Sequence, residues 1–146
     1  MKTEFQTVIF PPNGIMRQIR VLIADDHEEV LDDLRDLLEP EFKVVGAVSN
    51  GLALLSAAET LKPDVIVTDI SMPEMSGIEA ARKIIEKDPD SRIVLLTMHN
   101  DRALVEQGFA AGALGYSLKV KANQELPLAI YQALDGKRYI SPQVQN

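Results

Sequence analysis

The sequence predicts a doubly wound α/β fold on a five-stranded parallel sheet, with strand order 2-1-3-4-5. Three observations predict it. Short apolar runs alternate with segments of helical period along the chain, the pattern of a parallel sheet covered on both faces. The runs are nearly continuous in apolar character instead of alternating with polar residues, as strands buried on both sides require. Right-handed crossovers then leave few arrangements, and 2-1-3-4-5 is a common one.

Strand one spans residues 19–24 and ends in Asp25-Asp26. The helix after it puts Val30, Leu31, Leu34, Leu37 and Leu38 on one face and Glu28, Glu29, Asp32, Asp33 and Asp36 on the other, until Pro40 stops it. Strand two covers 42–47, and the next helix runs over 52–61 to the breaker Lys62-Pro63-Asp64. Strand three, 65–69, ends in Asp69. A loop from Ser71 to Gly77 leads into a helix over 78–86, with Met72 and Met75 read as loop and core packing. Strand four, 92–97, ends in Thr97, and a helix follows over 103–110. Strand five is placed at 113–116, with Asn123 as N-cap of a last helix running to about residue 135. Residues 1–17, with Pro11-Pro12-Asn13-Gly14, read as a flexible extension. The domain is expected over 18–138, and 139–146 as the start of a linker.

Composition narrows the functional classes. The chain has 146 residues, 46% apolar and 25% charged, enough for one real core. It contains no cysteine, which excludes disulfides, Cys-ligated zinc and a thiol nucleophile. A formal net charge of −7 argues against a general basic surface for nucleic acid. No apolar run approaches the roughly 20 residues that cross a bilayer. Pro11-Pro12 breaks the patch Val8-Ile9-Phe10, so no secretory signal is read and a cytoplasmic location is expected.

In a sheet of this order the ligand crevice lies past the strand ends, between strands one and three. Asp25, Asp26 and Asp69 therefore gather at one mouth, since neighbouring strands lie about 4.8 Å apart. Crowded carboxylates repel and call for a cation, and Mg²⁺ suits hard oxygen ligands. Neither Gly-rich phosphate-loop pattern occurs, so a nucleotide site is disfavoured. Thr97, ending strand four, and Lys119, just past strand five, bring a hydroxyl and an ammonium to the same mouth. A carboxylate nucleophile, a metal, a hydroxyl and a lysine are the parts needed to accept and hold a phosphoryl group. Each residue also has a plainer role: Asp25 or Asp26 as helix cap, Asp69 in an Asx turn, Thr97 as a β-branched strand residue, Lys119 as surface charge. All four at one edge make the joint reading the better one. His27 and His99 are read as solvent-facing.

Four segments carry a resemblance to a known family: Val21-Leu22-Ile23-Ala24-Asp25-Asp26-His27, Asp69-Ile70-Ser71-Met72-Pro73-Glu74-Met75-Ser76-Gly77, Leu96-Thr97-Met98-His99 and Ala111-Gly112-Ala113-Leu114-Gly115-Tyr116-Ser117-Leu118-Lys119. The chain resembles the receiver domain of bacterial two-component response regulators, NarL/FixJ (LuxR-type) subgroup, over residues 19–142. The resemblance implies a flavodoxin-like fold with Asp69 as phosphoacceptor. It implies Mg²⁺ on Asp25, Asp26, Asp69 and the Ser71 carbonyl, Lys119 on the phosphoryl oxygens, and Thr97 with Tyr116 as a switch pair. The expected partner is a sensor histidine kinase, with homodimerisation on phosphorylation. DNA contact is expected only through a helix-turn-helix domain that this chain does not contain, and no membrane contact is expected. Such a chain is either an excised receiver or a stand-alone one.

Two departures stand out: Val120 where many receivers have proline, which leaves that peptide's geometry open, and bulky Met98 after Thr97. Two competing functions remain at this point. A haloacid dehalogenase-type phosphohydrolase also uses a strand-end aspartate, but Ser71 stands where its second aspartate is usual. A phosphate-independent interaction module is the other.

Overall fold

A computed structural model of the chain describes residues 8–9, 17–98 and 100–144. His99 and most of the expected extension lie outside the described residues. Within that extension, Val8–Ile9 pairs antiparallel with Arg17–Gln18.

The main sheet has six parallel strands: β1 (Arg20–Ala24), β2 (Lys43–Val48), β3 (Val65–Asp69), β4 (Ile93–Thr97), β5 (Gly115–Leu118) and β6 (Tyr139–Ile140). Their order is β2-β1-β3-β4-β5-β6, the expected order with one added edge strand. Among the described residues, five α-helices connect them: α1 (Glu28–Leu38), α2 (Gly51–Leu61), α3 (Gly77–Lys87), α4 (Arg102–Ala110) and α5 (Ala122–Leu134).

The strand sequences explain the two layers. Successive side chains point to opposite faces, so in β1 Val21 and Ile23 face one core while Leu22 and Ala24 face the other. The first core joins Leu31, Leu34 and Leu38 of α1 to Leu126 and Ile130 of α5. The second joins α2, α3 and α4 through Leu54, Ile78, Ile84 and Val105, with Met72 and Met75 packed against it. Every residue of β3 and β4 is buried, as central strands should be. Asn50 and Ser76 cap α2 and α3 by accepting from the amides of Ala53 and Glu79.

Three boundaries differ from the sequence reading. Strand five lies at Gly115–Leu118, not 113–116, because the Ala113 amide still donates to the Gly108 carbonyl at the end of α4. The shift brings the strand's end directly to Lys119. The last helix begins at Ala122, after a 3₁₀ turn over Lys119–Lys121, so Asn123 sits inside its first turn and Lys121 holds the cap position. The stretch expected to open a linker is instead folded onto the domain. Tyr139–Ile140 pairs parallel with β5, and Ser141 and Val144 are buried. An edge strand otherwise leaves its amides and carbonyls unpaired, and this segment covers part of that edge. All described peptides are trans, including the one between Lys119 and Val120.

The loop after β3 is held by a close approach. The Gly77 amide donates to the Ile70 carbonyl at 2.7 Å, and a Cβ on Gly77 would lie 1.9 Å from the Asp69 carbonyl oxygen. That is backbone against backbone, which cannot yield without moving Asp69. Gly77→Ala is therefore expected to destabilise the domain by roughly 2 kcal/mol or more, read as a fall in the urea midpoint. An unchanged midpoint would show that the loop relaxes freely.

Candidate functional site

Parallel register builds the site. Ala24 is level with Thr68, so the next residues, Asp25 and Asp69, emerge side by side at the sheet's carboxyl edge. Asp69 is level with Leu96, which puts Thr97 one step beyond it on the neighbouring strand. Thr97 is level with Leu118, and Lys119 follows immediately. Four residues distant in sequence thus reach one edge.

Asp25 is 0% exposed and Asp69 6%. The Lys119 Nζ lies 2.6 Å from Asp25 Oδ2 and 3.3 Å from Asp69 Oδ2, bridging the two. Asp69 Oδ1 accepts from the Ile70 amide at 2.8 Å, and Asp25 Oδ1 accepts from the His27 amide at 2.9 Å. These backbone bonds fix the orientation of both carboxylates. Asp26 and His27 stand at the exposed rim, with His27 Nδ1 3.3 Å from Asp25 Oδ1 and from Asp26 Oδ1. His27 is solvent-facing as expected, yet it also touches both acids, a contact its sequence position did not reveal. Ser71 is exposed in the loop past Asp69.

Ionisation follows from burial and neighbours. Burial pushes the Asp69 carboxyl above its ordinary value; the Lys119 charge opposes that shift and the Asp25 charge adds to it. Burial disfavours the Lys119 ammonium, but hydrogen bonding to Asp25 and the charges of both aspartates outweigh it and raise its pKa. Tyr116 is 1% exposed. Its phenol is pushed up to about 12 by burial and by the Asp101 charge, against a hydrogen bond with Thr97. The expected switch pair is therefore already in contact, with the ring packed in the second core beside Val105 and Leu118. Met98 and Val120 are exposed and line a cleft of about 370 Å³ beside Lys119.

A hard cation fits these residues. Oxygens of Asp25 and Asp26 and a His27 nitrogen lie within 4.8 Å of one another. Asp69 is joined to that group through Lys119. Asp25 Oδ2 is sealed from solvent, and among the described residues no partner but the Lys119 ammonium reaches it. Asp25 and Asp69 share the Lys119 ammonium and Asp26 stands beside Asp25, which leaves negative charge to be neutralised.

Among known proteins, the family described as the response regulator receiver domain matches residues 21–131. Response regulator GacA of Pseudomonas aeruginosa is 38% identical over 128 residues, covering 86% of this chain and 60% of that protein. Response regulator UvrY of Escherichia coli is 40% identical over 128 residues, covering 86% and 59%. The chain thus spans about 60% of the length of the curated relatives it matches. Among solved structures, a LuxR-family two-component response regulator from Aurantimonas superposes with a TM-score of 0.82 at 35% identity, covering 86% of this chain and 91% of that one. The isolated receiver domain of RcsB from Salmonella enterica, in the presence of the phosphomimetic BeF₃⁻, gives 0.79 at 32% identity, covering 88% and 96%.

The raised Asp69 pKa sets a sign. A carboxyl whose folded value lies above its ordinary one contributes stability below the ordinary value and loses it as pH rises through the folded value. At neutral pH ionised Asp69 is thus a cost, and Asp69→Asn should raise the melting temperature in chelator. The difference should shrink as the pH falls through the raised folded value and vanish below 3.8, the ordinary value. A variant that melts lower at pH 7 would contradict the assignment.

Proposed function

The chain belongs to the response regulator receiver domains of the NarL/FixJ type, and on that premise we propose that Asp69 accepts a phosphoryl group from a phosphohistidine on a sensor kinase. The observation that supports this most is the bridge from Lys119 to the two buried aspartates, 2.6 and 3.3 Å long, at the crevice edge of the sheet. A deeply buried nucleophile held by a backbone amide and faced by a mobile cation is prepared for an anionic reactant.

In the transfer, an Asp69 carboxylate oxygen attacks phosphorus. The bond from phosphorus to the imidazole nitrogen breaks, and its electron pair stays on the imidazole. The product is an acyl phosphate on Asp69, and the donor histidine, protonated on its other ring nitrogen before the bond breaks, leaves as a neutral imidazole. Asp25, Asp26, Asp69 and the Ser71 carbonyl would hold a Mg²⁺ ion, which would supply the charge neutralisation that lets two anions approach. Lys119 turns from the carboxylates toward the phosphoryl oxygens, since the modification adds close to two negative charges at that point. The Thr97 hydroxyl offers those oxygens a donor and in doing so gives up Tyr116.

In this reading the domain is a signalling module that is phosphorylated and dephosphorylated, not a turnover enzyme, and it works in the cytoplasm. Among the described residues no helix is long and apolar enough to cross a membrane. Homodimerisation on phosphorylation, and control of transcription through a helix-turn-helix domain outside this chain, belong to the same proposal.

Incubation with Mg²⁺ and acetyl phosphate tests it by intact mass. The wild-type chain should gain one phosphoryl group, while Asp69→Asn, or the wild type in chelator, should gain none. Equal gain by the wild type and Asp69→Asn would place the chemistry elsewhere.

A further inference from the structure

Glu125 is a buried acid that phosphoryl transfer does not use. It lies in the first turn of α5, 7% exposed. Its Oε1 accepts from the Ser117 hydroxyl at 3.0 Å and its Oε2 from the Ser141 hydroxyl at 2.8 Å. Both serines are fully buried. Ser117 belongs to β5, next to Tyr116 and two residues before Lys119. Ser141 follows β6, and its amide donates to the Tyr116 carbonyl at 2.9 Å. One carboxylate therefore joins α5, the strand carrying Tyr116, and the segment 139–144.

Other contacts hold the same segment in place. The Tyr139 amide donates to the Leu114 carbonyl at 2.9 Å. Val144, 3% exposed, packs in the core that contains Tyr116 and Val105, and its carbonyl accepts from Arg102 Nη1 at 3.3 Å. The Arg138 guanidinium lies 4.6 Å over the Phe109 ring of α4. The carboxylate differs from these in being directional and dependent on short distances. A buried carboxylate satisfied by two hydroxyls is a poor way to gain stability, because an apolar group of similar shape serves about as well. What it supplies is a defined geometry, and hydrogen bonds weaken steeply once donor and acceptor separate or tilt.

We propose that Glu125 is a positioning residue that locks the segment 139–144 to the strand bearing Tyr116, so that a change at Tyr116 loosens that segment. The trigger rests on the phosphorylation of Asp69 proposed above. When Thr97 turns to a phosphoryl oxygen, the Tyr116 phenol loses its partner and β5 readjusts beside Ser117. The two bonds at Glu125 then lengthen, and the segment passes more often into its released state. The carboxylate thus carries the state of one end of β5 to residues that lie against α4 and α5.

Amide hydrogen exchange of the full chain, with intact mass taken on the same samples, tests this. Without phosphodonor, Ser141→Ala and Glu125→Ala should raise exchange at Tyr139, Ser141 and Val144 on the order of tenfold, the effect of losing one hydrogen bond to a charged group. The amides of β1 and β3 should stay protected. If they also loosen in Glu125→Ala, the milder Ser141→Ala decides. In the wild type, acetyl phosphate with Mg²⁺ should raise exchange in the same segment several-fold, and in Glu125→Ala it should add less than about twofold. Unchanged exchange in both variants overturns the lock. A phosphoryl mass gain with unchanged exchange at 139–144 overturns the coupling. Absence of any mass gain counts against the Asp69 reading instead, and the two variants alone then judge the lock.

Discussion

The structure depends on the Lys119 ammonium placed between two carboxylates that parallel pairing forces together. Asp25 and Asp69 stand on adjacent strands at the same level, so the register that packs the core also buries two like charges side by side. Buried acids in contact would protonate or push the strands apart without compensation. Lys119 supplies it from the far side of the sheet, two strands away from Asp69. Its reach is set by β5, which ends at Leu118 and passes straight into the 3₁₀ turn that presents the side chain. Fold and site are in this sense one statement about register.

A balanced site can also be displaced. Lys119 is 12% exposed, close enough to solvent to move, whereas Asp25 and Asp69 are held by the His27 and Ile70 amides. The partly exposed charge and the anchored acids are different groups, as the proposed uptake of a cation and a phosphoryl group would require. Tyr116 completes the arrangement. Its ring is already buried and already shares a hydrogen bond with Thr97, so phosphorylation does not need to carry the ring inward. Under the proposed function it would have only to compete for the Thr97 hydroxyl, a smaller change that shifts a balance between existing states.

Much of this was legible in the sequence, for physical reasons. The strands that end in Asp25, Asp69 and Thr97 are apolar runs cut off sharply by a polar residue, and a doubly wound sheet sends such ends to one crevice. Handedness and alternation left few strand orders, and the common 2-1-3-4-5 is among them. What escaped the reading depends on partners distant in the chain. Tyr139–Ile140 is too short to show a period and becomes a strand only because β5 offers it an edge. Glu125, in an Asn-Gln-Glu stretch, has the character of a solvated helix position until Ser117 and Ser141 close on it from 8 and 16 residues away. Asn123 is a good capping residue that loses the position because Lys119–Lys121 winds one turn earlier. The contact of His27 with both acids likewise arises from the bend after β1, which no residue pattern records.

The claim that one lysine balances two buried acids is tested most directly by thermal unfolding of Lys119→Met at neutral pH, with chelator and with Mg²⁺. Removing the cation while keeping the side chain's bulk should leave Asp25 and Asp69 facing each other uncompensated. The variant should lose about 3 kcal/mol in chelator, and Mg²⁺ should restore it by more than it stabilises the wild type. A variant as stable as the wild type in chelator and indifferent to Mg²⁺ would contradict the account.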